Sequence, residues 1–130
     1  MRFLAIVMPM LLVFSIELRA ENLALQAMLE RKDMSDLIIL QQLGSANIGN
    51  LSQVGQANTL LLLQMGASND AEIEQNGTGN LVSAHQLGDE NRLQILQHGT
   101  ENRIDITQHG NNSFAIEQIG QGEVLSVTQY

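Results

Sequence analysis

Three histidines and 14 acidic residues are the side chains of this 130-residue chain that could serve acid–base catalysis or metal binding. His98 and His109 occupy the same place in successive copies of a short repeat, whereas His85 lies between two copies. In the two-strand arrangement derived below, His98 and His109 lie at opposite corners and His85 points outward, so the three cannot share a metal ion. The sequence shows no Ser-His-Asp spacing, phosphate-binding loop or convergent pair of acids. We therefore predict that the chain is not an enzyme and uses no metal or cofactor.

Composition narrows the range of partners and of folds. The formal net charge is −8, and the six Lys and Arg residues are scattered rather than clustered. No face can therefore release counterions from phosphates, which excludes nucleic acid as a partner. The absence of cysteine excludes disulfides, thiolate metal sites and Cys nucleophiles. Aromatic residues make up 3% of the chain, too few bulky side chains for an ordinary core with a deep pocket.

A second set of polar residues recurs at a fixed spacing. The phrase Gln-x-Gly-x-x-Asn begins at residues 42, 53, 64, 75, 86 and 97, with a period of 11 residues, and altered copies begin at residues 108 and 118. The recurring amides are Gln42, Asn47, Gln53, Asn58, Gln64, Asn69, Gln75, Asn80, Gln86, Asn91, Gln97, Asn102, Gln108, Asn112, Gln118 and Gln129. The recurring glycines are Gly44, Gly55, Gly66, Gly77, Gly88, Gly99, Gly110 and Gly120. Internal repetition is the strongest signal in the sequence.

The elements that position these amides are strands. Between each Asn and the following Gln, polar and apolar residues alternate over seven positions, a pattern typical of a strand. Nine segments fit: 36–42, 47–53, 58–64, 69–75, 80–86, 91–97, 102–108, 112–118 and 123–129. Identical units with Gly at one fixed place favour a coil in which each strand lies on its homologue 22 residues away. The predicted fold is all-β, an amyloid-like cross-β solenoid of about 4.5 two-strand rungs.

In this solenoid the Asn, the two apolar residues and the Gln of each strand point inward. Amides stacked from rung to rung bond their neighbours above and below, so both their donors and their acceptors are satisfied in a buried place. We therefore predict that the recurring Asn and Gln residues form structural ladders and that the glycines form the arcs. The two ends carry no cap, which leaves edges that can template further strands.

Outward residues differ between the two predicted sheets. One sheet shows an apolar stripe, and the other carries three acids on one strand, which we interpret as a guard against uncontrolled stacking because like charges repel. The stripe has two interpretations, high β-propensity or a docking surface. Its residues are Leu37, Ile39, Leu61, Leu63 and Leu81, and the acids are Asp70, Glu72 and Glu74.

The first 34 residues lie outside the repeat. A basic residue, an apolar stretch of about 14 residues and Ala20 predict a secretory signal peptide over residues 1–20, cleaved before Glu21. The alternative is an uncleaved membrane anchor, but ~20 apolar residues are normally needed to span a bilayer. Residues 21–34 have apolar residues at helical spacing and are predicted to be a partly helical tail. Residues 35–130 form the predicted solenoid.

Repeats of this phrase in units of about 22 residues, after a signal peptide and without cysteine, resemble curlin, the subunit family of the bacterial extracellular amyloid fibre curli. Residues 35 to 130 carry the resemblance. Within that family the chain is more similar to the minor, fibre-nucleating subunit, because its repeats begin soon after the signal and its arcs vary, as at Ser45-Ala46 and Asp89-Glu90. The alternatives are the major fibre subunit and a monomeric β-solenoid binding module.

The resemblance implies a secreted protein attached to the outer-membrane surface as curli fimbriae, with a role in adhesion and biofilm. The implied partners are the major curlin subunit, further copies of the chain, an outer-membrane secretion channel that recognises the N-terminal tail, and a surface accessory protein. We expect the last rungs, which begin at Asn112 and end at Tyr130, to anchor the chain. The shortened arc after Gly110 and the inward Glu123 make that end a poor template.

Overall fold

The computed structural model describes the backbone of residues 10–14 and the whole of residues 36–130. All regular structure in these ranges is β-strand, so none of it includes a helix long and apolar enough to cross a membrane. The strands are β1 (Met10–Phe14), β2 (Leu37–Ser45), β3 (Ile48–Gln56), β4 (Thr59–Ala67), β5 (Asp70–Thr78), β6 (Leu81–Leu87), β7 (Arg92–Thr100), β8 (Arg103–His109), β9 (Ser113–Gln121) and β10 (Val124–Gln129).

The strands form two parallel sheets. The even sheet has the order β1-β2-β4-β6-β8-β10, and the odd sheet has the order β3-β5-β7-β9. From β2 onward, each strand pairs with the strand two places along the chain, as β4 does with β6, and Leu60 faces Val82. The chain therefore winds as a β-solenoid of two strands per rung with a 22-residue spacing, which confirms the predicted fold class.

Alternation decides which side chains enter the core between the sheets. In β4, β5, β6 and β8 every second residue is buried, and the intervening side chains lie on the outer faces. One side of each strand can thus be apolar and packed while the other meets solvent. The core consists of Ile38, Leu60, Leu62, Ala71, Ile73, Val82, Ala84, Leu93, Ile95, Ile104 and Ile106, with Leu40, Leu51, Phe114, Ile116, Leu125 and Val127 packed against it.

The arcs between strands require glycine where successive coils come close. Gly77 has a φ of +133°, and a Cβ placed there would overlap the carbonyl oxygen of Gly99 one rung further on. Two residues later the arc turns through the left-handed region, and here other residue types are accommodated, such as Ala57 with a φ of 56° and Glu101 also with a φ of 56°. The glycine spacing therefore reflects close backbone contact along the stack, since αL geometry alone admits side chains.

The arc after β8 is one residue shorter than the others, yet it does not disturb the pairing. Strands β7 and β9 pair over nine residues, from Arg92 with Ser113 to Thr100 with Gln121. Within the arc, the Asn112 side-chain amide donates to the carbonyl of His109 at 2.6 Å, and the Asn112 N–H donates to the Gly110 carbonyl at 3.2 Å. The loop itself absorbs the missing residue, so the shortened arc does not make the following strands irregular.

The N-terminal side of the even sheet is covered. Strand β1 pairs with β2 in parallel, with Leu12 and Ile39 as register partners. Ile39, expected to be exposed in the outer apolar stripe, is instead 7% exposed. The other stripe residues are half-buried. The predictions of a cleaved signal peptide and of a tail over residues 21–34 stay predictions, since apart from residues 10–14 these segments lie outside the described residues.

Candidate functional site: the amide ladders and their ends

Two lines of glutamine run along the solenoid, one in each sheet. In each line the side-chain Nε2 of one Gln donates to the Oε1 of the Gln in the next rung, at 2.6–3.1 Å. The even-sheet line is Gln42, Gln64, Gln86, Gln108 and Gln129, and the odd-sheet line is Gln53, Gln75, Gln97 and Gln118. The second Nε2 hydrogen binds a backbone carbonyl, for example that of Ile48 from Gln64 at 2.8 Å. Along both lines, the bonds between glutamine side chains therefore all run from donor to acceptor toward the C-terminal end.

The asparagine lines run in the opposite direction. The backbone N–H and the Nδ2 of Asn69 both donate to the Oδ1 of Asn47 in the preceding rung, each at 3.1 Å. The Nδ2 also reaches forward to the arc and donates to the carbonyl of Gly88 at 2.8 Å. One line is Asn47, Asn69, Asn91 and Asn112, and the other runs through Asn58, Asn80 and Asn102. Asn69, Asn80 and Asn102 thus each tie one strand to the rung before and the arc after.

Two carboxylates occupy the ends of the second asparagine line. Asp36 is 5% exposed, and one of its oxygens accepts from both the N–H and the Nδ2 of Asn58, at 2.9 and 3.2 Å. At the other end the N–H of Glu123 donates to the Oδ1 of Asn102 at 3.1 Å. Neither carboxylate was among the predicted ladder residues, although the 11-residue period passes through Asp36. Glu123 takes the inward position expected of it, since its carboxyl lies against Gly120 as the Nδ2 of Asn102 lies against Gly99, and it is exposed because β10 is the last strand of its sheet.

The N-terminal end of the odd sheet has unused hydrogen-bonding capacity. Strand β3 is an edge strand, and the side chain of Gln53 is 8% exposed. Its Nε2 donates to Gln75 at 2.6 Å, but its Oε1 is the one buried side-chain polar atom without a partner among the described residues. The Asn47 amide donates to the carbonyls of Leu43 and Gly66, without the preceding side-chain acceptor that Asn69 has. This end lacks one donor and one acceptor.

The C-terminal end offers the complementary groups. The Oε1 atoms of Gln118 and Gln129 accept from the preceding rung, which leaves their Nε2 groups pointing along the axis away from the stack. Glu123 and Gln118 both line a groove that opens at this end, together with Ile116 and Leu125. Ile119, Val124 and Tyr130 are 67%, 71% and 92% exposed, more than any other large apolar side chain described.

Charges on the outer faces are arranged without like-charge stacks around the acidic strand β5. Asp70 pairs in register with Arg92 and Ile48, and Glu72 accepts from the Nε2 of Gln94 at 3.1 Å. On β8, the Arg103 guanidinium donates to Asp105 at 2.7 Å, and this hydrogen bond raises the pKa of Arg103. The acids of β5 therefore face neutral or basic neighbours inside one molecule.

The three histidines lie on three different strands, His85 on β6, His98 on β7 and His109 on β8. His85 lies on β6 between Leu63 and Thr107, where burial lowers its pKa and the nearby Asp105 carboxylate partly offsets that effect. His109 stacks on the ring of Tyr130 at 5.3 Å between ring centroids. Among residues 36–130 no three His, Asp or Glu side chains come together in a way that could hold a metal ion. The chemistry supported by this site is hydrogen-bonded stacking.

Comparison with known proteins adds one match. Residues 66–99 of the 130 match the model of a family described as the curlin associated repeat. This span runs from the arc glycine Gly66 through β5 and β6 to Gly99. It covers part of both glutamine lines and of both asparagine lines. No curated protein and no solved structure matches the chain.

Proposed function

We propose that this chain is a structural subunit of an extracellular curli-type amyloid fibre, and that it acts as the minor subunit that nucleates polymerisation of the major one at the cell surface. The observation that carries the proposal is the two glutamine lines, which run through the molecule and stop at its ends with unused donors and acceptors. The curlin associated repeat at residues 66–99 supports the same family.

A stack of this kind gains by growing. Edge strands β3, β9 and β10 present backbone groups that a further parallel strand can pair with, ~4.8 Å away. The buried, unpaired Oε1 of Gln53 has a desolvation cost of about 1–3 kcal/mol, which a donor on an incoming rung removes. Addition of a rung therefore satisfies groups that the single molecule leaves open.

The variety of the arcs supports the nucleating role over that of the bulk fibre subunit. In one arc, Asp89 accepts a hydrogen bond from the N–H of Ala67 at 2.8 Å, a contact that depends on this particular residue. The left-handed position holds Glu90 in the same arc, and Ser68 or Glu101 in other arcs. Individual arcs suit a chain present in few copies that contacts several partners.

The same proposal places the chain outside the cell, on the outer-membrane surface, with the secretion channel and a surface accessory protein as further partners. We assign the anchoring contact to residues 112–130. The support is that Ile119 and Val124 lie on the outer faces of the last rungs and are highly exposed, as is Tyr130. These outer faces remain accessible when another rung pairs with the edges of β9 and β10.

A seeding assay tests the nucleating role. The protein recovered after export is added at low ratio to the major curlin subunit of the same cell, and fibre growth is followed with an amyloid dye. We expect seeding of the major subunit to be faster than the chain's own polymerisation, and fibres whose diffraction shows the ~4.7 Å reflection. Rapid polymerisation alone without seeding would assign the chain to the major subunit. A soluble monomer without that reflection would indicate a solenoid binding module.

Deleting residues 112–130 tests the anchor. We expect the shortened chain to be released into the medium in a form that still seeds, because β2 to β8 and their ladders remain. The matched control carries the full length with Ile119→Ser and Val124→Ser, which keeps the edges and alters the outer faces. A shortened chain that stays on the cell and no longer seeds would reverse the assignment of the two ends.

A further inference from the structure

The number of strands in the solenoid determines how one copy follows another. From β2 to β10 the chain has nine strands, and successive strands lie alternately on the even and the odd sheet. Both the first and the last of them lie on the even sheet. The next free place in the stack after β10 is therefore on the odd sheet, beside β9.

A second copy can fill that place only by turning half a turn about the solenoid axis. Its β2 then pairs with β9 of the preceding copy, and its β3 pairs with β10. Without the turn, β2 of the added copy would pair with β10, and the place beside β9 would stay empty. That gap would leave the facing backbone groups of two strands unpaired at the joint, β9 of the preceding copy and β3 of the added copy, which is costly in a buried position.

The end groups fit the turned arrangement. Continuing the 11-residue frame places Gln53 of the added copy on Gln129 and Asn47 of the added copy on Glu123. The Nε2 of Gln129 would donate to the Oε1 of Gln53, which has no partner within one molecule. The Asn47 amide would donate to the Glu123 carboxylate, the acceptor that Asn47 lacks and Asn69 has. One joint thus supplies both missing partners.

The unturned arrangement would bring carboxylates together. It places Asp36 of the added copy on Glu123, and both are acids. Asp36 is buried and accepts two hydrogen bonds from Asn58, and Glu123 offers it no amide donor of the kind that Asn58 supplies. In the turned joint Asp36 instead meets Asn112, whose Oδ1 can accept the backbone N–H of Asp36, as Asn102 accepts that of Glu123.

We propose that successive copies of this chain join with a half turn, β2 pairing with β9 and β3 with β10 of the preceding copy, so that even and odd sheets alternate along the fibre. This inference rests on the proposed function as a stacking subunit. It also requires β1 to leave β2, whose edge it covers. The predicted cleavage before Glu21 removes β1 and opens that edge.

Cross-linking of two cysteine pairs distinguishes the two joints, and the chain has no cysteine of its own. The pair Ser52→Cys with Thr128→Cys places thiols on adjacent strands in the turned joint only, since residues 53 and 129 face each other there. The matched pair Gln41→Cys with Thr128→Cys does so in the unturned joint only. Residues 52 and 128 are exposed and lie at opposite ends of one molecule. The full chain is expressed for export, assembled into fibres and treated with a short thiol-reactive cross-linker.

We expect covalent dimers and longer oligomers from the Ser52 pair and only monomer from the Gln41 pair. Cross-linking of the Gln41 pair instead would overturn the half turn, as would fibres in which neither pair cross-links. A parent chain that seeds the major subunit but does not stack on itself would overturn the half turn alone, whereas a parent chain that does neither would refute the proposed function, on which the inference rests. The cysteine-free parent serves as the control for fibre formation.

A charge swap provides a second test that does not depend on cysteine geometry. Asn47→Asp puts a carboxylate opposite Glu123 in the turned joint and should slow self-addition roughly tenfold, because like charges ~5 Å apart repel strongly near a protein surface. Adding Glu123→Asn to the same chain should restore the rate. The position tolerates a carboxylate, since Asp36 accepts from Asn58 as Asn47 does from Asn69. Slowing without rescue by Glu123→Asn would show that the two residues do not meet.

Discussion

The middle of the solenoid and its two ends are built from the same repeat but differ in what they leave unsatisfied. Between β4 and β8 the ladder amides are buried, and each one donates and accepts along its line. At the ends, Gln53 has an open acceptor, Gln118 and Gln129 have open donors, and Asp36 and Glu123 replace asparagine. Stability is therefore a property of the middle, whereas choice of partner is a property of the ends.

This contrast separates two demands on one repeat. Copies of a perfectly uniform repeat would stack in any register, and with or without the half turn, since no rung would differ from another. Two features restrict how copies meet: the carboxylates at the ends, and the odd number of strands from β2 to β10, which leaves the last rung half complete. Changes in the middle should therefore affect folding and assembly together, whereas changes at the ends should affect assembly alone.

The largest effect should come from an arc glycine in the middle. Gly77→Ala places a methyl group against the Gly99 carbonyl at a φ of +133°. The strain of such a backbone costs about 1–3 kcal/mol, and the steric overlap adds to it. We expect the variant to lose the folded solenoid, measured by circular dichroism and by denaturant unfolding of the unassembled chain.

The matched control lies two residues away. Gly79 has a φ of +69°, in the position that Ala46, Ala57 and Glu101 occupy in other arcs, and the atom nearest to its added Cβ is the Cγ of Glu101 at 3.5 Å. Gly79→Ala should change the free energy of unfolding by no more than about 1 kcal/mol. Equal losses at both positions would refute the close-contact explanation of the glycine spacing.

A smaller but still large effect is expected from the ladder itself. Replacing Gln97 and Asn102 together by Ala removes the donor to Gln118 and the acceptor of the Glu123 N–H. Each buried group left without a partner costs about 1–3 kcal/mol. We expect slower assembly and a lower free energy of unfolding, measured by dye-binding kinetics and by denaturant titration.

Gln94→Ala is the control for the ladder variant. Gln94 points outward, is exposed, and donates to Glu72 on the neighbouring strand at 3.1 Å. Its loss should change stability by well under 1 kcal/mol, since exposed polar contacts exchange readily with water. If both variants assemble at the same rate, the ladder does not organise the stack.

Much of the middle could be predicted from the sequence because each copy of the repeat shows the same local pattern again. Seven-residue alternation gives the strands, and the spacing gives their partners, so Ile73 could be assigned to the core before its neighbours were known. The period also passes through Asp36 and Glu123, but their residue types hid their place in the line. A pattern search keyed to amides does not find a carboxylate that accepts the same hydrogen bonds.

The remaining features depend on tertiary contacts that no repeat encodes. Strand β1 comes from an apolar segment with no copy of the phrase, and it pairs with β2, the strand that carries the buried Ile39. The shortened arc after Gly110 gave reason to expect an irregular end, but loop contacts at Asn112 preserve the register. The direction of the amide bonds follows from side-chain geometry, so which end donates could be learned only from the structure.

The smallest effect concerns a titrating group in the middle. Burial lowers the pKa of His85 below its ordinary value of 6.5, although Asp105 nearby opposes this. Because the folded protein binds the proton less readily than the unfolded chain, the contribution of His85 to stability is complete above pH 6.5 and falls as the pH drops through that value toward the folded pKa. His85→Thr, which copies the residue paired with it on β8, should remove this dependence. Denaturant unfolding of both proteins from above neutrality to about pH 5 should show the stability of the parent falling relative to the variant. A constant difference across that range would show that His85 takes up its proton equally in the folded and unfolded chain.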